Sequence, residues 1–78
     1  MRDREMRIVI SFHTTAEAMA TERLCQQNKL EGKLISVPRS ITSDCGLAWA
    51  SPIALRSVIE TLLLNHGVET AGYYEVLI

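Results

Sequence analysis

The amino-acid sequence predicts an α+β fold in which two helices pack on a four-stranded antiparallel sheet. Three observations lead to this prediction. Strand-like and helix-like stretches follow one another in the order βαββαβ, a Thr and a Glu three residues apart mark the start of the first helix, and a Ser-Pro pair marks the start of the second. This order most often folds as the split βαβ, ferredoxin-like sandwich. Residues 1–78 are expected to form a single domain, with residues 1–5 as a flexible head.

Local patterns predict the first strand and the first helix. Apolar side chains alternate within residues 6–12, which is the period-two pattern of a strand. Thr14 precedes Glu17 by three residues, as in a capping box, so a helix is expected to begin there and to continue to about Asn28. The expected core-facing arc of this helix comprises Ala18, Ala20, Thr21, Leu24 and Cys25.

The second half of the chain repeats the alternation of strand and helix. A second strand is expected over residues 33–37 and a third over residues 45–50. Ser51 is expected to cap the second helix, with Pro52 at its first position, because proline has no amide that would be left unpaired there. A fourth strand over residues 73–78 completes the order.

The pattern of the third strand leaves the direction of Trp49 open. Alternation places Trp49 on the same face as Leu47 and Cys45, and opposite Ala48 and Ala50. The small alanines would suit close helix packing and leave Trp49 outward as a dimer contact. The inward direction, in the core, fits the pattern equally well.

Composition and charge argue against nucleic-acid binding and membrane insertion. The chain is 47% hydrophobic and carries a net charge of −1, with no basic run of the kind that binds nucleic acid. Its charged head is unlike a signal peptide, and no apolar stretch reaches membrane-spanning length. We therefore expect a cytoplasmic protein that binds neither nucleic acid nor membrane. So high an apolar fraction in a small chain favours self-association, for example as a homodimer.

The loop that begins at Pro38 is the part of the chain that looks suited to chemistry. If the crossovers are right-handed, the end of the first strand and the amino end of the first helix lie at the same edge of the sheet as this loop. His13, Arg39 and Cys45 would therefore converge at that edge. Helix amino ends and cationic side chains favour a thiolate, so Cys45 is predicted to be a reactive, partly exposed thiol. Gly46 would let backbone amides approach the sulfur. Whether His13 points toward Cys45 depends on a register that the sequence does not specify.

Each of these residues also has a structural interpretation. Cys45 could be a small buried hydrophobe at a strand start, and Cys25, on the core arc, is expected to be one. His13 could be an exposed residue of the turn, His66 an ordinary helix-end residue, and Arg39 a solvated loop charge.

Metal and classical hydrolytic chemistry are not expected. Two isolated cysteines and two distant histidines do not supply the ligand set of a zinc site, so neither a metal nor a resident cofactor is predicted. No Ser-His-Asp pattern, glycine-rich phosphate loop or paired acidic constellation is present.

Two segments, residues 11–15 (SFHTT) and residues 38–48 (PRSITSDCGLA), resemble the selenium/sulfur carrier protein-like family. The similarity runs from roughly Ile8 to the third strand, and its most specific part is the proline-arginine, serine-rich, cysteine-glycine-leucine block. The resemblance implies a cytosolic bacterial or archaeal protein.

The resemblance also implies that Cys45 holds sulfur or selenium covalently, as a persulfide or selenosulfide, with Pro38, Arg39 and Gly46 as its loop. The implied partners are a donor lyase and an acceptor synthetase, and the protein would be a stoichiometric carrier rather than a stand-alone enzyme. The alternative hypothesis is a non-catalytic ferredoxin-like interaction or regulatory module in which Cys45 is merely packed.

Overall fold

The computed structural model describes residues 4–41 and 45–78. Its elements in chain order are β1 (Met6–Ser11), α1 (Thr15–Gln27), β2 (Lys33–Ser36), β3 (Leu47–Pro52), a 3-10 turn (Ile53–Leu55), α2 (Arg56–Asn65) and β4 (Gly72–Leu77). The strands form one sheet in the order β2-β3-β1-β4, and each neighbouring pair is antiparallel. The predicted ferredoxin-like sandwich is therefore confirmed.

The expected flexible head falls mainly outside the described residues, since residues 1–3 are not among them. Glu5, at the other end of that segment, exchanges two backbone hydrogen bonds of 3.0 Å with Ile78. These bonds extend the pairing of β1 with β4 by one residue pair beyond the strands themselves.

The sheet has a face covered by the helices and an open face. On the covered face the core consists of strand residues together with residues of both helices: Ile8, Ile10, Phe12, Trp49, Ala18, Cys25, Ile59 and Leu63. On the open face a smaller cluster consists of Val9, Ile41, Ala48 and Ala50. Alternation along β1 explains this division, because successive side chains of a strand point to opposite faces.

The amino end of α1 is formed by the predicted capping box. The Glu17 backbone N–H donates to Thr14 Oγ1, and Glu17 Oε1 accepts from the Thr14 backbone N–H, each at 3.3 Å. The helix then buries Ala18, Thr21 and Cys25 of the predicted arc, while Ala20 and Leu24 are half-buried. Local sequence alone therefore determines where this helix begins and which side it buries.

The predicted start of the second helix at Ser51 and Pro52 is wrong. Both residues belong to β3, which begins two residues later than expected, and the 3-10 turn separates them from α2. Ser51 Oγ accepts from Trp49 Nε1 and donates to the Glu31 carbonyl oxygen, each at 2.7 Å. Because Ser51 pairs with β1 and its hydroxyl is used across the sheet, it does not cap a helix.

Trp49 lies in the core, which settles the orientation that the sequence left open. Its side chain is 1% exposed on the helix-covered face, while Ala48 and Ala50 lie on the open face. The suggestion that these alanines would receive a helix is therefore wrong, because the helices lie over the larger side chains instead.

Candidate functional site

Cys45 lies at the closing end of the hairpin that joins β2 to β3. The Val37 backbone N–H donates to the Gly46 carbonyl oxygen at 3.0 Å, which continues the ladder beyond the pair of Ser36 and Leu47. Cys45 therefore follows the hairpin loop and precedes the first paired residue of β3. Its side chain packs against the core of the helix-covered face, the face that Trp49 also occupies.

The hairpin, His13 and the amino end of α1 lie at the same end of the sheet. Ser11 pairs with Ala48, so residues that follow β1 lie beside residues that precede β3. His13 is exposed at this end, and α1 begins at Thr15, two residues further on. The topology thus brings together the elements that the sequence predicted to converge around Cys45.

Cys45 is a half-buried residue. Its Sγ lies 3.6 Å from the Leu47 carbonyl oxygen, to which it donates a weak hydrogen bond. The apolar contacts and this bond hold the side chain in place, while part of the residue's surface stays exposed.

The other half of the loop is anchored on the opposite face of the sheet. The Ile41 backbone N–H donates to the Pro38 carbonyl oxygen at 3.0 Å, closing a turn that presents Arg39 to solvent. The Ile41 side chain is only 6% exposed and belongs to the cluster that contains Val9 and Ala48. The Arg39 side chain forms no salt bridge with any residue of the described segments.

Ile41 is a residue of this loop whose role sequence reasoning missed. It is the one large aliphatic side chain between Pro38 and Cys45, and that isolation among polar neighbours is the signal that could have identified it as an anchor.

Gly46 adopts a left-handed backbone conformation, with φ of +76°. A Cβ at this position would meet no described residue within 4 Å apart from its chain neighbours, and the backbone conformation accounts for the glycine. The expected approach of backbone amides to the Cys45 sulfur stays a prediction.

Cys25, the second cysteine, is fully buried between α1 and the sheet. Burial raises the pKa of its thiol from 9.0 to about 11, because the apolar surroundings disfavour the thiolate. Cys25 is therefore protonated at neutral pH and shielded from reagents, as expected for a structural cysteine.

The described segments contain neither a cluster of three metal-ligating side chains nor a helix that could cross a membrane. Across residues 4–41 and 45–78, no three His, Cys, Asp or Glu side chains are grouped so that they could hold a metal ion. Within the same segments, neither helix has the length and apolar character needed to cross a bilayer.

Comparison with known proteins identifies one family. The family model described as "Putative Se/S carrier protein-like" matches residues 7–75, a range that includes all of β1 but its first residue, α1, the hairpin with Cys45 and α2. No curated protein and no solved structure matches the chain.

Proposed function

The chain belongs to the Se/S carrier protein-like family, and from this membership we propose that it carries sulfur or selenium between partner proteins on Cys45. The observation that carries the proposal is the contrast between the two thiols. Cys45 is half-buried beside a loop at the sheet end where α1 begins, whereas Cys25 is enclosed in the core. Exchange at sulfur requires that the attacking group can reach the sulfur atom.

Loading proceeds by exchange of one sulfur–sulfur bond for another. The Cys45 thiol loses its proton to solvent, and the thiolate attacks the terminal sulfur of a persulfide on a donor protein. A bond forms between Cys45 Sγ and the transferred sulfur, while the donor's sulfur–sulfur bond breaks and the donor leaves as a thiolate that takes up a proton. No oxidant is consumed. Transfer of selenium follows the same balance, with selenium in place of the terminal sulfur.

Unloading is intermolecular in this proposal. A nucleophile of the acceptor protein attacks the terminal sulfur or selenium, and Cys45 leaves as the thiolate. Cys25 does not serve as an internal resolving thiol, because it is fully buried and burial raises its pKa to about 11. The chain thus returns to its starting state and acts as a stoichiometric carrier.

The loop residues have supporting roles in this proposal. Arg39, exposed on its turn, attracts the negative charge of a terminal persulfide or of a partner surface. Pro38 and Gly46 shape the backbone around the sulfur, and His13 stands at the same end of the sheet as a source or acceptor of protons.

Mass spectrometry of a single-thiol variant tests the proposal. In Cys25→Ala, native Cys45 is expected to gain the mass of one sulfur atom from a small persulfide donor and to pass it to an acceptor thiol. With the wild-type chain, iodoacetamide at neutral pH is expected to label Cys45 more than about tenfold faster than Cys25. Cys45→Ser, which retains Cys25, is the matched control and should gain no sulfur.

One observation favours a second candidate function, that of an interaction module with a structural Cys45. The thiol packs against the core and its Sγ donates to the Leu47 carbonyl oxygen. In that case Cys45 would stay unlabelled until the chain unfolds, and Cys45→Ala would lower stability without abolishing any transfer. An unreactive native thiol would therefore reject the carrier proposal.

A further inference from the structure

A cleft lies on the open face of the sheet, at the end away from Cys45. Its volume is about 430 Å³, and it is lined by Arg7, Glu31, Gly32, Lys33, Ile35, Ala50 and Ile78. The pairs of Arg7 with Pro52 and of Lys33 with Ala50 place it at the opposite end of β3 from the hairpin. Small-molecule sites in proteins typically measure about 300–1,000 Å³, so the cleft is large enough for a small ligand.

One wall of the cleft is held rigidly. The Glu31 carbonyl oxygen accepts from Ser51 Oγ, which in turn accepts from the buried Trp49 Nε1, so the segment before β2 is fixed to β3. The neighbouring Gly32 is packed so closely that an added Cβ would lie 2.6 Å from the Trp49 ring and 2.7 Å from the Ala50 carbonyl oxygen. A preformed wall lowers the entropy cost of binding.

The cleft is lined by both charged and apolar side chains. Arg7 and Lys33 supply two cations, while Ile35, Ala50 and Ile78 supply the apolar lining. Arg7 Nη2 lies 3.4 Å from Glu5 Oε1, and Lys33 forms no salt bridge with any residue in the described part of the chain. Lys33 therefore keeps its full donor capacity for a ligand.

We propose that this cleft binds a small amphipathic monoanion, such as a carboxylic acid with a short hydrocarbon chain. The carboxylate lies between Arg7 and Lys33, and the hydrocarbon chain covers Ile35 and Ala50. Glu31 disfavours a dianion, because it adds a negative charge to the lining. The proposal is independent of sulfur or selenium transfer, since the cleft and Cys45 lie on opposite faces and at opposite ends of the sheet.

Titration of the ¹⁵N-labelled chain with hexanoate, followed by NMR, tests the proposal, with hexan-1-ol as the uncharged probe of equal length. Hexanoate is expected to cause saturable shifts at the Lys33, Ile35 and Ala50 amides, and hexan-1-ol is expected to bind more weakly. Lys33→Gln should weaken hexanoate binding about threefold to fivefold, the loss typical of a partly exposed charge contact. Arg23→Gln, which removes an exposed cation on α1, should leave hexanoate binding unchanged.

Three results would overturn the proposal. The first is the absence of saturable shifts at these amides, and the second is equal binding of hexanoate and hexan-1-ol. The third is a shift of the same amides with protein concentration alone, which would assign the cleft to a second copy of the chain. The alkylation and sulfur-transfer assays at Cys45 are read separately, so failure of one proposal does not decide the other.

Discussion

At the scale of single residues, two serines in neighbouring strands are equally buried but differ in hydrogen bonding. Ser11 and Ser51 are both 0% exposed. Ser51 Oγ joins Trp49 Nε1 to the Glu31 carbonyl oxygen, whereas Ser11 Oγ has no hydrogen-bond partner among residues 4–41 and 45–78. A buried hydroxyl without a partner has lost its hydrogen bonds to water and has gained none within the protein. When a hydroxyl that connects two other polar groups is removed, both of those groups lose a hydrogen bond.

Replacing each serine by alanine should therefore affect stability differently. Ser51→Ala is expected to lower the free energy of unfolding by about 1–3 kcal/mol, because Trp49 Nε1 stays buried without a partner and the Glu31 carbonyl oxygen loses its donor. Ser11→Ala is expected to be neutral or stabilising by up to about 1 kcal/mol. Urea denaturation followed by Trp49 fluorescence measures both. Equal destabilisation by the two substitutions would contradict this account of the buried hydroxyls.

At the scale of elements, the two strands that flank the Cys45 loop depend on glycines for different reasons. Gly46, just before β3, has a φ of +76°, and no described residue other than its chain neighbours lies within 4 Å of the place where a Cβ would stand. Gly32, just before β2, also has a positive φ, of +158°, and in addition has close neighbours in β3 at that position. Backbone conformation accounts for the first glycine, whereas contact between elements adds to conformation at the second.

Alanine at each glycine compares the effect of backbone conformation with the effect of conformation and close contact together. Gly46→Ala should cost about 1–2 kcal/mol of stability, the price of a left-handed non-glycine residue, and should leave the rest of the sheet unchanged. Gly32→Ala should cost about 3 kcal/mol, because the backbone carbonyl of Ala50 cannot move aside without disturbing β3. Denaturation midpoints and amide shifts of β3 give the comparison. A larger loss for Gly46→Ala would show that the hairpin contains contacts beyond those described.

At the scale of the whole molecule, both edges of the sheet carry charge. The β4 edge carries Glu75, whose Oε2 lies 2.7 Å from Arg56 Nη1, and the short β2 edge begins with Lys33. Charges on edge strands oppose pairing with another chain. The homodimer suggested by composition stays a prediction, and these charges disfavour edge-to-edge pairing as its route.

Removing the charge from β4 should therefore promote self-association. Glu75→Val is expected to raise the average mass in sedimentation velocity as concentration increases, because the β4 edge becomes apolar. The lost ion pair itself should cost less than about 1 kcal/mol, since both partners are partly exposed. Glu69→Val, exposed and outside the strands, is the matched control. A variant that sediments like the unmodified chain would show that Glu75 does not protect the edge.

Much of the fold could be predicted because its signals are local. The Thr14–Glu17 capping box and the buried arc of α1 depend on residues within a few turns of one another, and the structure confirms both. The element order, combined with the handedness of crossovers, was enough to predict the sheet topology. Cys45 could be selected as the candidate site because its loop sequence resembles a family, and the family match supports that resemblance.

The sequence by itself thus determined the order of elements and the topology, and its choice of Cys45 as the site stays a prediction, whereas tertiary structure decided which face of each strand is covered. Ser51 is locally typical of a helix cap, but it pairs with Ile8 of β1, so it belongs to β3, and its hydroxyl donates to the Glu31 carbonyl oxygen, twenty residues away. The same pairing turns Trp49 and Cys45 toward the helices and leaves Ile41 to anchor the loop on the other side. A strand exposes both faces in alternation, and only contacts between distant segments select which face is covered.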